Sequence, residues 1–468
     1  MDCLKFDHKE FWFKSLWVIV FALAVYATNM SDSDIRGDSI IYADIAKNIL
    51  SLHSPLILHL NDDVYLNKPP LLFWLVALCL KMFGYTVFAV KVTVVLTSLS
   101  LSLSLFYLVA RIFKNYNWAY LAVFCLNTTY VVYKATRPLR MESLTATFIL
   151  LALVCFWLYL KSDRIKYLVW LGICCGLAIF SKGFLGLIPL AVMLLYAVFG
   201  DRNKLNWRFA GHFGIVLVVS LMVCGWWYVY ISLKTDFIHH FFYEQTAARL
   251  LNGALQEGQQ VVNYDKKPLY QYLYLMGRDY FMYIPFFLFG CYRLYRDKLS
   301  VDREGLRIVV IYAAFSWLSI HLISTRAERY LYEFYTIAAF ISAYGIASIP
   351  KLKTVQFVNW LKVMGLAYMI FVMATPSKLS WNSYNELAEL KQLSQNLQMP
   401  LLVNRDYFPN PNDRAGLDFF LEPEHIQSFD AMPQKAFLTV LPKEFQGDLS
   451  YRLIRKTRRL QLVMVLPR

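Results

Sequence analysis

The chain has 468 residues, 58% of them hydrophobic and 17% aromatic, with a mean hydropathy of +0.42. Soluble domains run to roughly 45–50% apolar residues, so this composition excludes a soluble globular protein and points to a polytopic membrane protein. A net charge of +15 would suggest nucleic acid in a soluble chain. Here Lys and Arg gather in short loops between apolar runs, where they set topology, and no nucleic-acid partner is expected.

Apolar segments long enough to cross a bilayer, about 17–25 residues each, are expected at 11–29, 86–110, 116–134, 143–160, 167–181, 184–200, 209–231, 278–295, 306–323, 329–349 and 356–375. Two of these, 167–181 and 184–200, are short and separated only by "SKG". A further run from Pro69 to Gly84 opens with a proline pair and is too short for a comfortable span, so it is read as an interfacial or re-entrant helix. With the N-terminus cytoplasmic and 69–84 not crossing, alternate loops carry Arg111 and Lys114, then Lys161 to Lys166, Arg202 to Arg208, Arg293 to Arg307, and Lys351 and Lys353. That is the basic side the positive-inside rule requires.

The expected architecture is therefore mainly α: a transmembrane helix bundle of about 11 spans over 1–375, with external loops at 30–85 and 232–277. Residues 376–468, rich in proline and with β-like runs "AFLTV" and "QLVMV", predict a small external mixed α/β domain. Within it "RLIRKTRRL" reads as a solvated strand or helix face, with contact to anionic head groups as the alternative. The eight cysteines show no disulfide or zinc spacing, and Cys174-Cys175 reads as helix packing. The first apolar segment is read as a retained span rather than a cleaved signal.

Polar residues collect on the external side of this topology. In "RGDSIIYADIAKNIL", Arg36 to Leu50, a helix from about Ser39 would put Asp38 at its N-cap and Tyr42 and Asp44 in its first turns. Ile41, Ile45, Ile49 and Leu52 would form an apolar stripe facing the membrane. Capping and catalysis both remain open for Asp38 on spacing alone. In "YLNKPP", Lys68 either anchors the following short helix or points an ammonium at a phosphate near the membrane surface. "ATRPLRMES" offers Arg137, Arg140 and Glu142, as a structural ion pair or as part of a site. Lys182 sits in "SKG" between two apolar runs, where a lysine needs an anionic partner or the head-group layer.

The next loop brings Glu244 and Arg249 in "HHFFYEQTAARL". Its adjacent histidines point different ways on a helix, so no two-His metal site is expected. "STRAERYLYEFY" adds Arg326, Glu328, Arg329 and Glu333. Several cations and a few carboxylates beside a bilayer suit a lipid-linked sugar phosphate donor. Its phosphate is the leaving group stabilised by Arg or Lys, while a carboxylate removes the acceptor's proton.

At these residues the chain resembles the GT-C class of polytopic glycosyltransferases, in the branch of bacterial lipid A aminoarabinose transferases and protein O-mannosyltransferases, over roughly residues 10–345. The similarity lies in "DSIIYAD", "YLNKPPLLFWL", "TRPLRMESLTATF", "GLAIFSKGFLGLIPL" and "GWWYVY…FFYEQTAARL", in order along one side of the topology. It implies a polyprenyl-phosphate sugar donor, inversion at the anomeric carbon, and a lipid A-like lipid, a glycan or a protein as acceptor, at the outer face of a bacterial inner membrane. Asp38 is then the general base. Tyr42, Asp44, Lys68, Arg137, Lys182 and Arg249 stand around donor and acceptor, with Arg140, Glu142, Glu244, Arg326 and Arg329 completing the substrate-binding set. The chain departs from the family at Ile41 for Arg, Asn67 for Glu, Glu142 for Asp, Asp265 for His and Glu333 for Pro. No metal ligands are assigned, and a divalent metal ion is the one cofactor kept open. The competing reading is a non-enzymatic flippase or transporter, which would place its ionisable residues at mid-span rather than at the outer ends.

Overall fold

The structure is a computed structural model. It describes residues 8–27, 30, 35, 37–61, 63–130, 132, 138–200, 207–241, 255–257, 260–262, 267–296, 302–323, 326–349, 360, 363–370, 383–408, 410–421, 425–426, 436–443, 445, 451–457 and 460–465. The chain divides into two compact units. The first is Met1–Thr28, Leu66–Leu72 and Val94–Thr375, and the second Asn29–Tyr65, Phe73–Thr93 and Pro376–Arg468.

Among the described residues four helical runs are long and apolar enough to cross a membrane: Val87–Phe113, Glu142–Ser162, Ile165–Gly200 and Trp207–Lys234. The other runs expected to span are shorter helices, and 356–375 lies mostly outside the described residues. The helices that build the first unit are α1 (His8–Tyr26), α5 (Tyr116–Asn127), α6 (Glu142–Ser162), α7 (Ile165–Lys182), α8 (Ile188–Leu195), α9 (Trp207–Lys234), α10 (Gln271–Asp279), α11 (Ile284–Arg296), α12 (Arg303–Ile320) and α13 (Tyr332–Ala347). Between α1 and α5 come α2 (Asp38–Ser51), α3 (Leu71–Phe83) and α4 (Val87–Phe113). The short α3 has 13 residues, well under a span, as the proline pair before it suggests.

The run Ile165–Gly200 is a hairpin. On a straight helix residues 179 and 186 would stand about 10 Å apart along the axis. Instead, a Cβ at Gly186 would lie 2.1 Å from the Ile179 backbone nitrogen. The chain reverses at Gly183, whose φ of +67° ends α7 in the left-handed region that glycine enters without strain. The return limb is a 3-10 turn over Gly183–Leu187, then α8, then a π turn over Tyr196–Gly200.

The run expected at 278–295 is broken into α10 and α11, with Tyr280 to Tyr283 between them. Pro285 explains the new start, because proline is tolerated in a helix's first turn and not in its interior. Within the bundle α7 lies between α6 and α9, and α13 between α5 and α11. These approaches are close. A Cβ at Gly172 or Gly176 would collide with Val219 or Val223, and one at Gly290 with the Ile341 carbonyl, so small residues let the helix backbones meet.

In the second unit α14 (Ser383–Asn396) and α15 (Pro411–Phe420) pack with a three-stranded antiparallel sheet in the order β5-β7-β6. It is formed by β5 (Phe437–Pro442), β6 (Tyr451–Lys456) and β7 (Leu460–Val465), counted after two short hairpins over 59–64 and 255–262. β7 pairs Phe437 with Val465 on one side and Tyr451 with Val465 on the other. Its core holds Leu387, Leu401, Leu417, Leu438 and Leu462. "AFLTV" and "QLVMV" are thus strands, and the basic "RLIRK" is the exposed edge strand β6.

Candidate functional site

Helix α2 begins one residue earlier than expected. Gly37, with φ +49°, is the capping residue, and Asp38 is the first helical residue rather than the N-cap. No side chain caps α2. Glycine takes the positive φ at this entry, and that moves the helix start onto Asp38, whose carboxylate lies at the positive end of the helix dipole.

The expected apolar stripe also needs correction. Ile45 and Ile49 are buried, but Ile41 is only half-buried and Leu52 is exposed. The buried part of α2 packs on α15, whose Asp418 lies 371 residues after Lys47. Lys47 fixes that joint by donating to the carbonyl oxygens of Asp418 and Leu421, the latter at 3.0 Å.

Tyr42 is 7% exposed and meets Phe73 edge-on at 5.3 Å. Asp44 is fully buried and accepts a hydrogen bond of 3.3 Å from Asn48. Burial, and after it the nearby Asp418 carboxylate, raise the Asp44 carboxyl well above its ordinary range. Lys47, the Asn61 backbone and Arg405 oppose the shift. Arg405 in turn binds Asp418 at 2.7 Å. Lys47, Arg405 and Asp418 were not singled out from the sequence, because only the fold brings α2 and α15 together.

The first unit gathers a second cluster at three helix ends. Lys182, the last residue of α7, lies 3.1 Å from Glu142, the first residue of α6, and 3.2 Å from Glu333 in the first turn of α13. All three side chains are under 10% exposed. Glu142 thus pairs with Lys182, and Arg140 and Arg329 act on it electrostatically.

The lysine is in this position because α7 stops at Gly183 and turns back. Glu333 is anchored through its backbone, whose carbonyl accepts from Tyr312 at 3.0 Å and from Thr336 at 2.7 Å. Its Oε2 is buried with no hydrogen-bond partner. Tyr332, one residue before, bonds Ser143 of α6 at 2.8 Å. Glu333 was noted in the sequence as a departure from the family but not placed in the site.

The turn over Phe237 to Phe241 joins this cluster to the "YLNKPP" loop. Phe241 packs on Phe184 and Phe237 at 5.5 and 4.9 Å, and a Cβ at Gly183 would come 3.0 Å from its ring. One residue before it, His240 hydrogen-bonds the side-chain oxygen of Asn67. The segments carrying Lys68 and Lys182 thus both meet the turn over Phe237 to Phe241, through Asn67 and through Gly183 and Phe184.

On the other flank Arg326, at φ +38°, donates to the Lys267 carbonyl. Arg329 lies over the Tyr330 ring at 5.7 Å. Arg278 binds Asp279 and, at 2.7 Å, Glu328. A cavity of about 820 Å³ opens between α10, α11, α12 and α13, walled by Met276, Phe287, Leu288, Trp317, Phe334 and Ile341. Arg137, Glu244, Arg249 and Asp265 lie outside the described residues. Among the described residues no three His, Cys, Asp or Glu side chains gather as a metal site, and no step is derived through a metal.

Residues 67–228 match the family described as dolichyl-phosphate-mannose-protein mannosyltransferase. The chain is 29% identical over 223 residues to undecaprenyl phosphate-alpha-4-amino-4-deoxy-L-arabinose arabinosyl transferase 2 of Proteus mirabilis, a match covering 45% of this chain and 39% of that protein. It is 24% identical over 361 residues to an uncharacterized protein of Aquifex aeolicus, covering 76% of this chain and 68% of that one. The matches to the curated arabinosyl transferases thus span about two fifths of those proteins' length. The crystal structure of ArnT from Cupriavidus metallidurans bound to undecaprenyl phosphate superposes with a TM-score of 0.72 at 14% identity, over 96% of this chain and 98% of that one. Over part of its length the chain is thus similar to membrane glycosyltransferases of the aminoarabinose-transferase and protein-mannosyltransferase kind, and it shares the fold of ArnT from Cupriavidus metallidurans.

Proposed function

We propose that this chain transfers a sugar, with inversion, from an undecaprenyl-phosphate-linked donor to an envelope acceptor at the outer face of the inner membrane. The acceptor is a lipid A-like lipid, a glycan or a protein. The observation that carries the reading is the buried ammonium of Lys182 at the meeting of α6, α7 and α13, with the Lys68 loop resting on the same aromatic turn. A cation so placed can stabilise the charge that develops on a leaving phosphate.

The apolar cavity suits the prenyl tail, since Phe334 in its wall is the residue after Glu333. Tail and phosphate would then occupy neighbouring places in the first unit. Asp38 is assigned as general base, taking the acceptor's proton while the acceptor oxygen attacks the anomeric carbon and the phosphate departs with the bonding electron pair. Tyr42, Arg137, Arg140, Glu142, Glu244, Arg249, Arg326 and Arg329 are assigned to donor and acceptor binding. Asp44 is assigned with them to the surroundings of donor and acceptor.

The test compares lipid A and envelope glycans and glycoproteins by mass spectrometry in cells with and without the gene. It is paired with transfer by the purified chain from a synthetic undecaprenyl-phosphate sugar. A sugar lost from one acceptor class on deletion, and restored by the wild-type gene, is the expected result. Unchanged envelopes together with no release of undecaprenyl phosphate in vitro would overturn it.

A further inference from the structure

Two carboxylates share Lys182, and the second calls for a reason. An ammonium has three N–H donors. Glu142 and Glu333 each accept one, at 3.1 and 3.2 Å, which leaves one direction for a ligand. Within this trio the charge is −1, so a passing anion meets a lysine that is already neutralised. Glu142 also has Arg140 and Arg329 acting on it. Glu333 binds the lysine through Oε1 only, while Oε2 is buried without a partner. Of the two acids, Glu333 is therefore the more weakly compensated and the more readily displaced, because an under-satisfied buried carboxylate is costly to keep charged.

We propose that Glu333 is a positioning residue that competes with the donor's phosphate for Lys182. The lysine is held by two acids in the resting enzyme and shifts to the phosphate as the phosphate's second negative charge appears.

This rests on the function proposed above. In that reaction the acceptor oxygen–carbon bond forms and the carbon–oxygen bond to phosphate breaks. The electron pair stays on the phosphate oxygen, and the acceptor's proton goes to the base. A phosphodiester carrying one charge becomes a monoester carrying a further one. A lysine whose charge is masked by Glu333 gains little from the diester and more from the monoester. Its stabilisation is thereby concentrated on the transition state and product rather than on the bound donor, which is the condition for raising a rate.

The experiment measures binding of undecaprenyl phosphate, and of uncharged undecaprenol as a control, to the full chain in detergent. Wild type is compared with Glu333→Gln, which keeps the hydrogen-bond acceptor for Lys182 and removes the charge. Undecaprenyl phosphate is expected to bind Glu333→Gln about tenfold tighter, the factor that 1.4 kcal/mol provides, and to inhibit transfer more strongly by the same factor. Undecaprenol binding should not change.

A Glu333→Gln protein that binds undecaprenyl phosphate no tighter than wild type, or that tightens on both lipids alike, overturns the proposal. Glu333→Asp keeps the charge but withdraws it by one methylene. It is expected to fall between the two, and it serves in place of Glu333→Gln should that variant not fold. A folded wild type that does not prefer undecaprenyl phosphate over undecaprenol would instead overturn the phosphate-site reading itself.

Discussion

Asp38, Asp44, Lys182 and Glu333 are four ionisable residues beside apolar helices, and their surroundings separate their roles. Asp44 and Lys182 are buried with named partners, whereas Asp38 opens α2, just past a glycine cap, and lies on its exposed side. A base must reach an acceptor hydroxyl, and an exposed position leaves that path open. Asp38→Asn keeps the size and removes the proton acceptor. Transfer by this variant is expected to fall by at least about 10²-fold, the lower end of general acid–base contributions, while its membrane insertion and melting temperature stay near wild type. Near-normal initial rates in a donor-saturated assay would remove the assignment. The sequence made Asp38 visible through its spacing to Tyr42 and Asp44, but it also suggested a cap. The φ of Gly37 moves the cap off Asp38, and a backbone angle at a glycine leaves no trace in residue identity.

At the level of elements, the long apolar runs of α4, α6, α7 and α9 were legible because a run of that length has few other uses. Two features were not. The division of 278–295 was present as Pro285 but masked by continuous hydrophobicity. The buried face of α2 depended on α15, a helix too distant in sequence for any periodicity to report.

That joint yields a pH prediction. Asp44 is raised by burial, so its neutral form is favoured in the folded protein relative to the unfolded chain. Folding through it is most favourable at low pH, and this contribution is lost as pH rises through the elevated value, about 1.4 kcal/mol for each unit of elevation. The melting temperature of the wild type should therefore fall, as pH rises above the ordinary carboxylate range, more steeply than that of Asp44→Asn, which cannot ionise. Parallel slopes in detergent-purified protein would show that Asp44 is no longer a strained carboxyl in solution.

For the molecule as a whole, the sequence supplied a sidedness that the helices alone do not carry. Hydrophobic length says only that a segment can cross. Lys and Arg in alternate loops give the direction, because basic loops are retained in the cytoplasm. The last turn of α11 carries Arg293 and Arg296, and the tail holds the exposed basic strand β6. Basic residues thus occur on both expected sides, and the assignment rests on loop length: short loops orient a chain, while a long domain is translocated largely regardless of its charge.

Cysteine labelling tests this directly. A membrane-impermeant maleimide applied to intact spheroplasts should label a chain bearing Arg452→Cys, at an exposed position of β6. It should reach Arg296→Cys, equally exposed at the end of α11, only after permeabilisation. Both substitutions would be made in a background whose native cysteines are replaced by serine or alanine, since Cys291 is itself exposed. The reverse pattern would put the tail in the cytoplasm and the C-terminal end of α11 outside. Asp38 would then face a compartment with no envelope acceptor, and the transferase reading would fail at the membrane rather than at any one side chain.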